Sequence, residues 1–219
     1  DIVVPSKDWT VVKAEKKKVD KVWKPVWGKR SVVPDQYNEL TLMLGSASES
    51  FEIIARAYND GVAFRYVVPE GNNNAKTVVA EQTAFRFAGD YTAWYYNGER
   101  HNIGPELLSE TGTGRLPVMT IKAGENCYLA LHEACLDEGE PLKLSSEIGK
   151  TEFTVTSKPQ TLQAGYHSAW RVILYGKTPG ALVDSHLIEL LNPEPESGYD
   201  FSWVKPGVCL WDWRIDGAI

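Results

Sequence analysis

The sequence predicts an all-β chain of short antiparallel strands with one short helix at most. Two observations carry this prediction. Short runs of alternating apolar and polar residues recur along most of the chain, and Gly, Pro, Asn or Asp interrupts nearly every gap between them. Residues 51–68, FEIIARAYNDGVAFRYVV, are the clearest case, because alternation on both sides of an Asn-Asp-Gly turn is the strongest local signal of a hairpin.

The predicted elements follow one another as far as Leu191. The predicted strands are 10–12, 39–44, 51–58, 62–68, 77–80, 84–87, 92–96, 118–122, 127–131, 142–144, 152–156 and 170–174. A helix is predicted near 180–184, after Pro179, whereas HLIELL at 186–191 is too short for periodicity to separate helix from strand. Residues 98–116 show no pattern of a regular element, which predicts a long loop that is functional or disordered.

Composition narrows the class of protein. A chain of 219 residues with 43% hydrophobic residues can bury one sizeable core. The net charge of −6 argues against a general binder of nucleic acid or of anionic membranes. Lys16–Lys18 is flanked by Glu15 and Asp20, so a solvated strand edge or loop is favoured over a phosphate site. No apolar run has the length of a membrane span, and no signal peptide is expected within these 219 residues.

The three cysteines are Cys127, Cys135 and Cys209. An odd number without CxxC spacing predicts neither a disulfide framework nor a zinc site. Buried free thiols are favoured, and a disulfide between Cys127 and Cys135 stays open.

Several ordered motifs carry a resemblance to a known family. They are VWKPVWGKRSVVPDQYNELTL at 22–42, FEIIARAYNDGVAFRYVVPE at 51–70, and then FRFAGDYTAWYYNGE, LALHEACL, SAWRVI and WVKPG up to residue 207. In this order they resemble the N-terminal domain of glycoside hydrolase family 97, a family of α-glucosidases and α-galactosidases. The resemblance implies a galactose-mutarotase-like antiparallel β-super-sandwich that packs on a catalytic (β/α)8 barrel.

The resemblance also implies a division of the chain. Residues 1–206 would form the N-terminal β-sandwich domain, and 207–219 would begin a (β/α)8 barrel that is otherwise not in the chain. We therefore expect a sandwich that is truncated at both ends, by trimming rather than as a natural fragment. Since the catalytic carboxylates of glycosidases would lie on the barrel, no catalytic residue is expected here. The family also implies a periplasmic or secreted protein.

Glu133 is the one candidate metal ligand. It follows the predicted strand 127–131 in phase with Leu129 and Leu131, so its carboxylate must leave the core or be paired. In inverting members of the family, a Glu of this His-Glu-Ala motif reaches the barrel and helps to hold Ca²⁺. The alternative is an ordinary strand-end acid. Without an EF-hand loop, a complete Ca²⁺ site within this chain is not expected. His132 is out of phase and is interpreted as a satisfied sheet histidine.

Aromatic residues are the second candidate feature. Trp94, Tyr95 and Tyr96 are consecutive, so a strand must direct at least one of them away from its own core. Burial against an adjoining domain, packing on both faces of the sandwich and contact with sugar all stay open. Trp211 and Trp213 would lie near the family's active site, where substrate binding and packing at the barrel mouth are the alternatives.

Two functions from different classes follow. The first is the non-catalytic N-terminal domain of an exo-acting α-glycosidase, which braces the barrel, forms part of the active-site wall and contributes one ligand to Ca²⁺. Its partners would be the barrel and an oligosaccharide substrate. The alternative is a stand-alone carbohydrate-binding β-sandwich module. A purely structural domain without contact to the site is a third possibility.

Overall fold

The computed structural model describes residues 9–26, 28–46, 49–70, 76–78, 81–98, 102–194, 198–205 and 207–209. These residues contain fourteen β-strands, two short α-helices and a 3-10 turn at Leu108–Glu110. The strands are β1 Thr10–Trp23, β2 Val33–Ser46, β3 Glu49–Tyr58, β4 Gly61–Val67, β5 Lys76–Val78, β6 Ala84–Arg86, β7 Thr92–Tyr96, β8 Ile103–Leu107, β9 Leu116–Gly124, β10 Cys127–Ala134, β11 Leu144–Ser145, β12 Glu152–Val155, β13 Gln160–Leu162 and β14 Trp170–Gly176. The helices are α1 Pro179–Asp184 and α2 Leu187–Leu190. The predicted all-β class is confirmed.

Nine strands form one large antiparallel sheet in the order β1-β2-β3-β4-β14-β10-β9-β7-β8. Two smaller sheets have the orders β11-β12-β6 and β13-β5. We call the face of the large sheet that packs on the smaller sheets the inner face. Its main core joins residues of the two layers: Phe85, Tyr95, Met119, Ile121, Leu131, Leu144, Phe153 and Val155. This layered antiparallel packing confirms the predicted super-sandwich.

The opposite, outer face of the large sheet is partly covered by the two helices. Leu187 and Leu191 pack there against Ala63, Val172 and Trp170 in a second core. Adjacent residues of a strand point to opposite faces, so a central strand such as β10 contributes Leu131 to the main core and Ala130 to the second. The sheet consequently presents functional side chains on two separate surfaces.

The predicted hairpin at 51–68 is confirmed. β3 and β4 pair in register, with Ala55 opposite Phe64, and residues 59–60 form the turn. Gly61 begins β4 against the neighbouring strand and α2. A Cβ at this position would lie 2.5 Å from the carbonyl oxygen of Ile173 and 2.7 Å from Leu187 Cδ2. The glycine is therefore needed for close packing of the sheet and helix as well as for the turn.

The first hairpin is much longer than the sequence predicted. The predicted strand at 10–12 extends to Trp23, and the one at 39–44 occupies Val33–Ser46. Nearly all of β1 is exposed, because it is an edge strand of the large sheet. Because β1 has no buried face, its sequence does not alternate between apolar and polar residues, and this pattern could not predict its full length. Lys16–Lys18 lies on this edge strand, in agreement with the interpretation of these lysines as part of a solvated strand edge or loop.

The long region 98–116 was expected to lack regular structure, but its described part contains β8 and the 3-10 turn. β8 is an edge strand and tolerates Pro105, because a proline there removes no ladder hydrogen bond. Gly104 is placed against β7, where a Cβ would lie 2.5 Å from the carbonyl oxygen of Ala93. The edge position of β8 accommodates Pro105, and the close approach of β7 requires Gly104. Together they explain why two residues typical of turns lie within a strand.

The predicted helix near 180–184 is α1. Thr178 caps it, since its side chain accepts a hydrogen bond from the Ala181 N–H at 3.2 Å. HLIELL, which the sequence left open, contains the single helical turn α2. The structure therefore has a second short helix where the sequence predicted one at most. Packing of Leu187 and Leu191 on the outer face, a tertiary effect, decides this run.

Cys127 and Cys135 are free thiols, so no disulfide joins them. Cys135 is buried, Cys127 is half-buried and Cys209 is exposed, so the prediction of buried free thiols holds for Cys135. Within the described part of the chain, no helix has the length and apolar character needed to cross a bilayer.

Candidate functional site

Glu133 lies near the end of β10, on the inner face of the large sheet. It shares this face with Leu131, which is fully buried, and only 8% of Glu133 is exposed. The sequence argument required this carboxylate to leave the core or be paired, and it is paired. The Leu142 N–H donates to Glu133 Oε2, and Arg171 Nη1 lies 3.6 Å from the same oxygen. Oε1 has no hydrogen-bond donor among the described residues.

Arg171 is the residue that organises this site. It stands directly opposite Glu133 on β14, and none of its side chain is exposed. Its Nε donates to Glu81 Oε1 at 2.9 Å, and its Nη2 donates to Glu81 Oε2 and to the Glu140 carbonyl oxygen at 3.0 Å. A planar guanidinium is suited to this two-point contact with a carboxylate. We call Glu81, Glu133 and Arg171 the carboxylate–arginine cluster.

Further contacts hold Glu81 in place. Its Oε1 accepts a hydrogen bond from the Thr83 hydroxyl at 2.7 Å, and the Tyr66 hydroxyl lies 2.8 Å from that of Thr83. The Glu81 N–H donates to Ser157 Oγ at 2.7 Å. Since Ser157 follows β12 and Arg171 belongs to β14, the cluster ties the large sheet to the layer above it.

Burial and the neighbouring charges have opposite effects on the two groups of the cluster whose pKa is shifted. Burial raises the pKa of the Glu133 carboxyl, while the hydrogen bond from Leu142 and the charge of Arg171 lower it in part. Burial alone would lower the pKa of the Arg171 guanidinium, but the hydrogen bond and charge of Glu81, with the charge of Glu133, raise it. Two carboxylates around one guanidinium leave one negative charge over. Because Glu81 engages Arg171 at two points, Glu133 is the carboxylate with capacity for a further cation.

The sequence argument missed Arg171 and Glu81. Arg171 had a readable signal, because it shares the phase of Ile173 and so stands at an inward position of an apolar strand. Glu81 had none, since it lies between β5 and β6 in an irregular segment. Among the described residues, no group of three or more His, Cys, Asp and Glu side chains could hold a metal ion.

His132 lies on the outer face, opposite Val172, and so points away from the cluster. Its Nδ1 accepts the Glu133 N–H at 2.8 Å, and burial lowers the pKa of its imidazole. A neutral, locally bonded ring fits the interpretation of a satisfied sheet histidine.

The aromatic candidates separate in space. Tyr95 is buried in the inner core with 1% exposure, Trp94 lies half-buried on the other face, and Tyr96 is 40% exposed. Trp211 and Trp213 lie outside the described residues, so their proximity to substrate stays a prediction.

The chain returns to Glu133 after the helices. Asn192 follows α2, and its side-chain oxygen accepts the Cys135 N–H at 3.0 Å. Its amide nitrogen donates to the Ile188 carbonyl oxygen at 2.7 Å, which holds the residue against the helix. Residues after 192 therefore start beside the end of β10, two residues beyond Glu133.

Comparison with known proteins gives this architecture its class. The chain resembles solved glycoside hydrolases in their antiparallel β-sandwich portion. A family model described as Glycosyl-hydrolase 97 N-terminal matches residues 3–194. The chain belongs to this family, which confirms the resemblance seen in its motifs.

Two relatives and two solved structures illustrate the match. A probable retaining alpha-galactosidase of Streptomyces bingchenggensis is 26% identical over 179 residues, covering 79% of this chain and 27% of the relative. A retaining alpha-galactosidase of Bacteroides thetaiotaomicron is 25% identical over 244 residues, covering 92% of this chain and 36% of the relative. A family 97 enzyme of Pseudoalteromonas sp. strain K8, solved with panose, has 25% identity and a TM-score of 0.79. The match covers 91% of this chain and 32% of that enzyme. A beta-arabinopyranosidase structure, with 22% identity and a TM-score of 0.66, covers 77% and 32% and shares the fold. This chain thus spans about a third or less of each solved enzyme and about a third of the curated relatives.

Proposed function

We propose that this chain is the non-catalytic N-terminal domain of an exo-acting α-glycosidase that hydrolyses terminal α-galactosidic or α-glucosidic bonds. In this role it braces a (β/α)8 barrel, forms part of the wall of the active site and donates Glu133 to a Ca²⁺ site shared with the barrel. Family membership supports the hydrolase context. Both curated relatives are named retaining alpha-galactosidases, which favours the galactoside. The family is also the basis for proposing a periplasmic or secreted location.

One observation carries the role of Glu133. Its carboxylate is oriented through Oε2 by Arg171 and the Leu142 N–H, while the Asn192 contact brings the following chain to the same end of β10. The chain that follows Asn192 therefore leaves from the end of β10 that carries Glu133, although α2 lies on the outer face and the carboxylate on the inner face. A buried carboxylate that keeps one oxygen without a donor is a suitable ligand for a hard cation.

The side chains present fit one part of a Ca²⁺ site. Ca²⁺ takes six to eight oxygen ligands, often from separate segments. Glu133 supplies one carboxylate, so the remaining oxygens would come from the barrel and from water. Bound there, the cation would place positive charge beside the catalytic carboxylates of the barrel.

The full-length enzyme with Glu133→Gln tests this role. We expect a weaker activation by Ca²⁺ with a nearly unchanged fold, because the amide keeps the shape of the side chain but loses its charge. Glu39→Gln is the matched control, since Glu39 is also a strand residue paired with an arginine and its side chain is only 14% exposed. Unchanged activity and Ca²⁺ dependence in Glu133→Gln would leave the purely structural domain as the better account.

Two further measurements separate the enzyme from a stand-alone module. The isolated chain should be inactive on p-nitrophenyl α-galactoside and α-glucoside, because the catalytic pair of carboxylates would lie on the barrel. Robust turnover by a pure sample would contradict this. Because the family resemblance assigns Ca²⁺ to inverting members and both curated relatives are named retaining, the first-formed product anomer should be identified by proton NMR alongside the Ca²⁺ titration.

A further inference from the structure

A groove on the outer face of the large sheet is not used by the proposed site. Its volume is about 460 Å³, and it runs over β7, β9 and β10 beside the start of α1. The described residues that line it are aromatic (Trp94, Tyr95, Tyr96 and Tyr128), polar (Asn102, Thr120 and Lys122) or apolar (Val118 and Pro179), and none of them is acidic. A groove of this size and mixed lining is typical of a ligand site rather than of a core gap.

Three neighbouring strands place the two principal rings. Trp94 on β7 stands opposite Thr120 on β9, and Tyr128 on β10 stands opposite Lys122 on the same central strand. The Cα atoms of Trp94 and Tyr128 are two strand spacings apart across the sheet and two residues apart along it. Together these offsets amount to roughly 12 Å. The rings are therefore far enough apart to contact different units of one extended ligand, with a hydroxyl and an ammonium group between them.

The local backbone directs Trp94 into this groove. β7 shifts register against β8 between Ala93 and Tyr95, and against β9 between Trp94 and Tyr96. Such irregularities redirect side chains and are frequent beside binding sites. Gly104 makes room for the ring, because a Cβ there would lie 3.0 Å from Trp94 Cδ1. A larger residue at 104 would displace the indole.

We propose that this groove binds an oligosaccharide chain, with Trp94 and Tyr128 stacked on two of its sugar rings. Thr120, Lys122 and Asn102 provide hydrogen bonds to hydroxyl groups between and beside the rings. Aromatic faces pack on the apolar faces of sugars, and neutral polyhydroxyl ligands need both kinds of contact. The choice of carbohydrate rests on the proposed function, whereas the position of the groove is a feature of the sheet itself.

The groove is distinct from the carboxylate–arginine cluster. Tyr128 precedes Glu133 by five residues on β10, which corresponds to roughly 17 Å along the strand. Glu133 faces inward and the groove lies on the outer face. A ligand in the groove would therefore anchor a polysaccharide away from the place where the barrel is proposed to act.

Affinity electrophoresis tests the proposal with soluble starch and galactomannan as the two polymers in native gels. We expect the 219-residue chain to be retarded by at least one polymer relative to serum albumin. Trp94→Ala and Lys122→Ala should reduce the retardation, and circular dichroism checks that each variant is folded. Lys122 is exposed, so its variant keeps the test valid if Trp94→Ala is unstable. Trp203→Ala is the control, because Trp203 is 76% exposed and lies outside the groove.

Three results would overturn the proposal. The first is a folded chain that neither polymer retards, and the second is a loss in Trp203→Ala equal to that in Trp94→Ala. The third is retardation that disappears in the full-length enzyme, which would assign the groove to the interface with the barrel. None of these results bears on the Ca²⁺ dependence of Glu133→Gln, so the two proposals fail separately.

Discussion

Arg171 and Glu133 stand directly opposite each other on β14 and β10, with Arg171 Nη1 3.6 Å from Glu133 Oε2. The same guanidinium is held by both oxygens of Glu81 on its other side. A buried arginine that serves two carboxylates fixes the position of each. The strand-end glutamate is thereby oriented inside the sandwich.

Replacing Arg171 should lower the free energy of unfolding by a large amount. Arg171→Met would leave two carboxylates near the core without their cation, and we expect a loss of about 3–5 kcal/mol in the free energy of unfolding. Urea denaturation measures this loss. Arg86→Gln is the control, because the Arg86–Glu152 pair is 75% and 41% exposed and should contribute at most about 1 kcal/mol. Similar losses in the two variants would show that the cluster is not a buried ion pair in solution.

Glu81 and Glu133 should contribute unequally to the free energy of unfolding. Glu81→Gln removes the charge that engages Arg171 at two points, and a loss of about 1.5–3 kcal/mol is expected for hydrogen bonds of this charged type. Glu133→Gln should cost less, because burial raises the pKa of this carboxyl and so opposes its charge in the folded state. Urea denaturation at pH 7 compares the two variants. A larger loss in Glu133→Gln would contradict the assignment of Glu81 as the main partner of Arg171.

A glycine at the start of β4 should not tolerate a methyl group. Gly61→Ala would bring a Cβ to 2.5 Å from the Ile173 carbonyl oxygen, so the strand or α2 must shift. We expect a loss of about 1–3 kcal/mol, as for other overpacked sites, seen as a lower midpoint of thermal or urea unfolding. Gly207→Ala is the matched control, since a Cβ there meets nothing within 4 Å. An unchanged midpoint in Gly61→Ala would mean that the sheet and helix are looser than described.

Alkaline pH should weaken the fold through Tyr95. Burial, with the hydrogen bond to Glu106, raises the pKa of Tyr95 to about 12 from its ordinary value near 10. Between these values the folded chain keeps a proton that the unfolded chain loses, so the contribution of Tyr95 to stability falls as pH rises from 10 to 12. The difference in unfolding free energy between wild type and Tyr95→Phe should shrink over this range. A difference that stays constant or grows would contradict the raised pKa.

The sequence predicted those elements that have a buried face of their own. β3, β4, β10 and β14 are of this kind and all are present, whereas α1, which has no buried residue, was predicted from its position after Pro179. β1 was predicted only at 10–12 and β8 was not predicted, because both are edge strands with little buried surface, so partner strands rather than side-chain pattern specify them. The same limit applied to the helical turn α2, which depends on packing against the outer face.

By itself, the sequence determined the antiparallel β class, the family and the inward phase of Glu133, because these depend on local alternation and on ordered motifs. Only the tertiary structure decided what Glu133 meets. Glu81 lies 90 residues before Arg171, and no local pattern links these two residues to each other or to Glu133. The groove at Trp94 likewise arises from three strands that pairing brings together. Sites formed by residues distant in the chain are set by strand order and register, and both are settled by the packing of the whole sheet.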